Sequence, residues 1–371
     1  MSDEKPNCPT INPNCTGVEN EALKNFCGAS VVADFLFSVF GYESFYKTLP
    51  WLTVATIADM VQIDKLNYWR VKTGLDYLRS DRTCVSFASL CTVLKIDQSK
   101  LTVDDIGFLI GPTINSFGRL KDMTLGVQAI LETDYVTAVD KWKLGVKTNK
   151  ERKEKTKEGL DLAEKDMNII INDNVIVVQA DIHEGVLGIV ASQLKEKYKK
   201  PSIVFNMDGK ASCRSIPNFH IRDALVQCDK YLLKFGGHAA AAGLTMSQSN
   251  IEKFAEKMNS LAVGVNYIPD PFIIDCKPKD LPELCNAIVF GVWGQGLQKP
   301  LIRVKVRIEQ IKYMKDTHTS MILDVDGKTF DAVMFNKLVL SSKQGKKRTI
   351  VCEPVLSNFM KSSLQLKVIE L

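Results

Sequence analysis

No two cysteines in this 371-residue chain are spaced as a zinc ribbon needs. The ten cysteines are scattered without a CxxC pair, and the closest spacings, Cys8/Cys15 and Cys84/Cys91, leave six residues between partners. Such scatter reads as reduced thiols in a cytosol-like compartment rather than a metal or disulfide framework. Long hydrophobic runs are missing as well. Nothing approaches the roughly 20 consecutive apolar residues that span a bilayer, so the expectation is a cytoplasmic protein with no membrane partner. The opening stretch, MSDEKPNCPTINPNCTG, is polar and does not read as a secretory signal. There is no internal repeat and no long low-complexity segment. Histidine is scarce, with four in the chain (His183, His220, His238 and His318), all isolated from one another.

What is present describes a globular chain of two or three domains. Hydrophobic residues make up 45% and charged residues 25% of the sequence, and the net charge is +5 with a pI near 8.5. That mild basicity permits a polyanionic partner without demanding one. From Glu21 to Phe45 the apolar spacing is helical. WLTVATIADMV is an apolar run that suits either a strand or a buried helix and closes on Asp59. Short helices are expected from Tyr68 to Ile110, and helix again over 123–165, where VKTNKERKEKTKEGLDLAEK is a charged surface helix or connector. A second unit is expected from near Asn168. NVIVVQA, GVLGIVASQLKEKYKK and PSIVFNM read as strand, helix and strand, the order of a parallel crossover. From about Pro269 the pattern changes to period two. Four or five antiparallel strands, one pair joined by the Asp-Gly turn of DVDGKT, suggest a small barrel of the oligonucleotide-binding type.

Four stretches could carry chemistry, and each has a plainer reading beside it. In DIHEGVLGIVASQL, His183 precedes a helix opened by glycines, a place where free backbone N–H groups receive an anion, or where a histidine simply caps a helix. In GKASCRSIPNFHIRDAL, Arg214 sits beside Ser215 with no acid close in sequence. That suits bidentate phosphate recognition, or pairing with a distant carboxylate. In LLKFGGHAAAAGLTM, Gly236 and Gly237 allow close backbone approach, His238 can donate to a phosphate oxygen, and the alanines are expected to form a tightly packed helix; a buried histidine is the alternative. GPTINSFGRLKD is expected to be a rigid turn presenting Asn115 and Arg119, or an ordinary loop.

In this order, IADMVQI, GPTINSFGRLKDMTLGV, HEGVLGIVAS, ASCRSIPNFHIRDAL and LLKFGGHAAAAGLTM resemble the bacterial and phage RecJ-type single-strand exonucleases of the DHH phosphoesterase superfamily. FGVWGQGLQKPLIRVKVRI and the strand-rich tail resemble that family's oligonucleotide-binding barrel, so the likeness covers nearly the whole chain. It implies an α/β fold class: the C-terminal part of a DHH catalytic domain over 1–135, a helical connector over 136–166, a DHH-associated α/β domain over 167–266 and an OB-like β-barrel over 267–371. It also implies 5′→3′ hydrolysis of single-stranded DNA by two divalent cations, Mn2+ or Mg2+. The strand would pass between the catalytic and associated domains through an opening too narrow for a duplex. Asp59 matches the family's late metal-binding aspartate, and Asn115 and Arg119 match positions facing the site. His183, Arg214 with Ser215, and His238 match phosphate-handling positions, with Gly236 and Gly237 bringing backbone close.

The chain departs from the family at Thr113, where an Arg is common. It also has no Asp-x-Asp strand, second aspartate or Asp-His-His triplet ahead of TINPN, and only nine residues precede Thr10. One aspartate cannot hold two hard cations. The expectation is therefore an exonuclease portion that is inactive alone and completed by a DHH-bearing N-terminal partner chain, against which the apolar stretches of residues 21–60 would pack. The first alternative is a non-catalytic single-strand-binding subunit. There KQGKKR (343–348) would hold phosphates, Tyr313, Phe335 and Phe359 would stack bases, and a single-strand-binding protein would be a further partner. The second is a phosphodiesterase for small molecules or oligonucleotides, for which a barrel is superfluous.

Overall fold

The computed structural model describes residues 10–14, 21–80, 82–166, 174–267, 271–314, 317–357 and 363–371. Cys8, Cys15, Phe359 and the expected start of the second unit at Asn168 lie outside them. The chain divides into two compact units. One holds Thr113–Ala129 with Lys143–Pro269, and the other holds Pro9–Pro112, Ile130–Trp142 and Asp270–Leu371. No helix among the described residues is long and apolar enough to cross a membrane.

Helices run through the first half: α1 (Gly28–Phe40), α2 (Tyr42–Ala58), α3 (Lys65–Leu78), α4 (Val85–Leu94), the single turn α5 (Val103–Asp105), α6 (Gly111–Leu120), α7 (Met123–Ile130) and α8 (Tyr135–Asp166). WLTVATIADMV lies within and just past α2, so its apolar residues serve helix packing. α2 and α3 lie so close that a Cβ on Gly74 would fall 1.7 Å from Thr53 Oγ1. The lone charge of α1, Asp34, accepts hydrogen bonds from Arg70 Nη2 on both carboxylate oxygens, at 2.6 and 2.8 Å. Ile106–Ile110 winds as a π-helix between α5 and α6.

GPTINSFGRLKD departs from expectation: Gly111–Leu120 is helix α6, not a turn. The π-helical Ile106–Ile110 runs straight into Gly111, which is itself helical, so Gly-Pro here lies inside a continuous helical run just after its widened turn.

The α/β unit continues with β1 (Ile176–Gln179), α9 (Glu184–Tyr198), β2 (Ser202–Phe205), β3 (Lys210–Arg214), α10 (Ile221–Val226), β4 (Leu232–Gly237), β5 (Ala241–Met246) and α11 (Ile251–Leu261). The sheet order is β1-β2-β3-β5-β4. β1 and β2 pair in parallel from Ile176↔Ser202 to Gln179↔Phe205, with α9 as the crossover, as the sequence pattern required. Alternate residues of NVIVVQA bury on opposite faces. Val175 and Val177 join Phe205, Leu225 and Phe254, whereas Ile176 and Val178 join Val186, Val190 and Ala163. A sheet covered on both faces explains why that strand is apolar throughout.

The alanine stretch is a second correction. Residues 232–246 form the antiparallel hairpin β4–β5, with Gly236↔Gly243 and Gly237↔Ala242 in register. The helix preference of alanine is worth well under 1 kcal/mol per residue, less than the two ladders β5 makes with β3 and β4. Gly237 has φ +152°, and a Cβ there would sit 2.4 Å from the Ala241 carbonyl oxygen.

The C-terminal region holds β6 (Ile273–Asp275), α12 (Leu281–Val289), β7 (Leu301–Met314), β8 (His318–Val325), β9 (Lys328–Met334), β10 (Lys347–Ser357) and β11 (Ser363–Glu370). The order β10-β11-β9-β8-β7 closes through a β10–β7 ladder into a five-stranded OB-like barrel. Asp326 and Gly327 have φ of 55° and 78°, the backbone of a type I′ hairpin turn. The all-antiparallel expectation fails at two ladders, β9–β11 and β6–β7, which are parallel. β10 leaves the meander to pair with β7, so β11 returns alongside β9 in the same direction. α12 sends Leu281, Cys285 and Ile288 into the barrel core.

Lys299 bridges Asp104 at 2.7 Å and Glu353 at 3.1 Å within the barrel-containing unit. Burial opposes the charges of Lys299 and Glu353, but the pairing outweighs it: Lys299 is raised above its ordinary pKa and Glu353 is lowered, the latter by Lys299 and Lys367. Glu353 therefore contributes stability that is complete above the ordinary glutamate range and is lost as pH falls through its lowered value. Lys299 contributes below the ordinary lysine range and loses its share only as pH rises through its raised value. Lys299→Met should destabilise this unit by roughly 1–3 kcal/mol at neutral pH. The difference from wild type should narrow in acid. Urea unfolding at neutral and acid pH reads both, and equal midpoints at neutral pH would count against the assignment.

Candidate nucleic-acid interface

The α/β unit carries a cleft of about 550 Å3 whose wall combines the end of α6, the start of α9 and strands β3, β4 and β5. Two glycines make its back wall possible. A Cβ on Gly185 would lie 2.1 Å from the Arg119 carbonyl oxygen, and one on Gly188 would lie 2.7 Å from Arg214 Nη2. With those positions bare, α9 lies directly against the α6 terminus and against the side chains of β3. Arg119 Nη1 donates to the Gly185 carbonyl at 3.1 Å. Arg214 Nη1 donates to Ser212 Oγ at 3.0 Å and to the Cys213 carbonyl at 2.8 Å.

The charge in the cleft is one-sided. Arg119, Lys210, Arg214 and Lys234 line it together with one carboxylate, Glu184, which is held by Lys210 at 2.7 Å. Arg119, Arg214 and Lys234 have no carboxylate partner among the described residues. Burial lowers the pKa of both arginines; at Arg214 Cys213 opposes that shift, and the Arg119 charge adds a smaller lowering. Partly desolvated guanidinium groups held near one another without counter-charge are a receptor for anions. The floor adds Gly236 and Gly243, and nothing lies within 4 Å of a Cβ built on Gly236.

The residues singled out from sequence separate on the structure. Arg119, Arg214 and Gly236 meet at the cleft. Gly237 is spent on the hairpin geometry. His183 is exposed and caps α9, its Nδ1 accepting from the Gly185 N–H at 3.0 Å. Ser215 is buried and gives its hydroxyl to the Phe219 carbonyl, whereas Ser212 is the serine at the cleft. His238 is exposed in the β4–β5 connection, its N–H bonded to the Ala241 carbonyl at 2.8 Å and its Nδ1 accepting from Ala240 at 3.4 Å. Asn115 is exposed on α6. Asp59, in the other unit, is the exposed C-terminal cap of α2. Lys210, Ser212 and Lys234 escaped sequence reading because each is an ordinary strand residue whose place depends on the β3-β5-β4 order.

The barrel has a basic surface of its own. Lys305, Arg307, Lys347 and Arg348 line a depression of about 560 Å3 that also contains Asp324 and Asp326. Arg307 and Lys347 stand opposite each other across the β7–β10 ladder, so like charges are juxtaposed. Of the candidate stacking aromatics, Tyr313 and Phe335 are half exposed, with Tyr313 bonded to the Val339 carbonyl and Phe335 edge-on to His318.

No group of three or more His, Cys, Asp or Glu side chains among the described residues could hold a metal ion. Asp59 stands without the companion ligands a hard divalent cation requires. The residues described here do not fit a two-metal centre, and no step through one follows from them.

Residues 172–264 match the DHHA1 domain and residues 280–370 match the RecJ OB domain. The single-stranded-DNA-specific exonuclease RecJ of Haemophilus influenzae is 29% identical over 81% of this chain and 57% of its own length. That of Escherichia coli is 30% identical over 78% of this chain and 54% of its own. The chain thus spans about half the length of the curated relatives it matches. The crystal structure of Thermus thermophilus RecJ in complex with Mn2+ superposes with a TM-score of 0.74 over 90% of this chain and 51% of that one, at 21% identity, a likeness of fold. Two matched domains in this order, a common fold and full-length relatives bearing one name identify the chain as RecJ-type, corresponding to the C-terminal portion of those proteins.

Proposed function

We propose that this chain is the strand-gripping portion of a RecJ-type exonuclease specific for single-stranded DNA. The observation that carries the reading is the glycine-floored cleft with four cations against one carboxylate. A phosphodiester backbone supplies the missing negative charge, and the bare backbone at Gly236 lets it approach closely. The barrel's cations offer a second surface for phosphates, and exposed Tyr313 and Phe335 offer ring faces to unpaired bases. Arg214 and Arg119 bind phosphate, with Ser212 holding the Arg214 fork. The helix start capped by His183 and the loop bearing His238 border that grip, and Ser215 fixes the 215–219 turn behind it. Asn115 and Asp59 are each assigned to hydrolysis in this reading, by their match to family positions.

Hydrolysis belongs to the same proposal at one remove. The divalent cations, Mn2+ or Mg2+, would be held by an Asp-His-His-bearing segment that these 371 residues do not contain, supplied by a partner chain or a longer polypeptide, with Asp59 contributing one ligand. A binding subunit without cleavage is the second reading, favoured by the absence of a metal cluster among the described residues.

Arg214→Gln should weaken binding of a 5′-phosphorylated oligothymidylate roughly tenfold to a hundredfold, as expected for one charge-assisted bond. Fluorescence anisotropy measures it, and unchanged affinity would remove Arg214 from the interface. The glycine pair separates folding from binding. Gly236→Ala should keep the melting temperature yet bind the strand less tightly, whereas Gly237→Ala should lower the melting temperature because its Cβ meets the Ala241 carbonyl. The reverse pattern would contradict the hairpin assignment. Mixed with a polypeptide bearing the Asp-His-His motif and Mn2+, the chain should release nucleotides from single strands, and Asp59→Ala should abolish release while sparing affinity. Stable binding with no cleavage in a mixture whose chains associate would leave the binding-subunit reading standing.

A further inference from the structure

The cleft's cations have a neighbour on α8 that neither the sequence pattern nor the cleft lining displays. Gly145, Asn149, Arg152, Thr156, Gly159 and Ala163 form one row on that helix at spacings of four and three residues, the face it turns inward. The row packs tightly where it is small. A Cβ on Gly145 would meet Phe117 at 3.1 Å and Thr113 at 3.2 Å, and one on Gly159 would meet Ile182 at 3.1 Å. Arg152 is the one charged member of this row, and it is only partly buried.

An arginine on an inward row normally faces a carboxylate, because desolvating an unpaired cation is costly. Arg152 faces none among the described residues. Its Nε and Nη2 both donate to Asn149 Oδ1, at 3.0 and 2.8 Å, and Asn149 Nδ2 reaches Thr113 Oγ1 at 3.4 Å. A neutral amide thus anchors the guanidinium by one edge and fixes its direction without neutralising it. Nη1 has no partner among the described residues. The nearby charge belongs to Arg119, which adds to burial in lowering the Arg152 pKa.

We infer that Arg152, oriented by Asn149, is a phosphate-binding residue that continues the cleft's anion track beyond Arg119. The inference rests on the strand-gripping reading of the cleft and extends its ligand set to the long helix. An anion shared by Arg119 and Arg152 relieves their repulsion and satisfies the free edge of the Arg152 fork. A purely structural arginine would do neither, since its amide bonds are complete without a ligand.

The test is the salt dependence of oligothymidylate binding by the full chain. For single strands the slope of log K against log salt changes by about 0.7 per phosphate contact. Arg152→Gln should lower the slope by about that amount and weaken affinity roughly tenfold, with a melting temperature equal to or above that of wild type. Arg152→Lys, which keeps the charge and loses the fork, should retain the slope while losing affinity. Lys153→Gln, on the exposed face of α8, is the control and should alter neither as strongly. If Arg152→Gln binds with wild-type affinity and slope while Arg214→Gln does not, the inference is overturned and the cleft reading survives. A lower melting temperature with an unchanged slope would make Arg152 structural and likewise overturn it. If the unaltered chain shows no salt-dependent binding, both readings fall.

Discussion

The carbonyl oxygen of Arg119 lies 2.1 Å from where a Cβ on Gly185 would stand, and the candidate interface is built around that approach. It brings the end of α6 against the start of α9, and Gly188 one turn later admits the Arg214 guanidinium. Two arginines from segments 95 positions apart are thereby held near each other, both partly removed from water and neither facing an acid. Like charges so placed repel, and burial adds to the cost. A fold that retains them without counter-charge is stabilised by whatever anion it binds, which is why charge balance identifies the site better than cavity size does. The pocket around Lys299 in the barrel unit has no such imbalance: Lys299 there is matched by Asp104 and Glu353.

The barrel reaches a comparable result by different means. In the α/β unit, glycine removes side chains so that helix and strand can approach, and the cations converge from several elements. In the barrel, a period-two strand places Arg303, Lys305 and Arg307 on one face, and the closing β10–β7 ladder sets Lys347 opposite Arg307. Arg303 and Arg307 are paired with Asp275 and Glu309, whereas Lys305 and Lys347 have no ion pair among the described residues. This surface is therefore weaker and more exposed to salt screening than the cleft. It suits a secondary hold along a polyanion.

What could be read from the sequence follows the range of the interactions involved. NVIVVQA, the α9 crossover and PSIVFNM were legible because β1 and β2 bury both faces and so show an unbroken apolar pattern. The turn of DVDGKT was legible because two successive left-handed residues almost require Asp-Gly. Arg214 stood out through its lack of a nearby acid. The helical α6 was not legible, since Gly-Pro ordinarily marks a turn, whereas here the π-helical stretch before it leads the helix on through Pro112. The alanine stretch misled because its β structure comes from the β3 and β5 pairing rather than from local preference. Arg152 lay hidden in a run of charges. Only the row of small residues at 145, 159 and 163 hints that its face turns inward.

The contrast between a concentrated cation cleft and the lack of a metal-binding cluster among the described residues has a physical basis. Phosphate can be held by long cationic side chains and backbone N–H groups that tolerate ångström-scale differences in position and arrive from distant segments. A hard divalent cation needs several oxygen or nitrogen ligands at about 2.0–2.6 Å in a fixed geometry. Grip can therefore reside in one part of a protein while catalysis stays concentrated in another. The one-sided charge of the cleft and the bare placement of Asp59 are two consequences of that same difference in tolerance: the first needs only local glycine packing to form, whereas an isolated carboxylate becomes a metal ligand only when other ligands are brought within coordination distance.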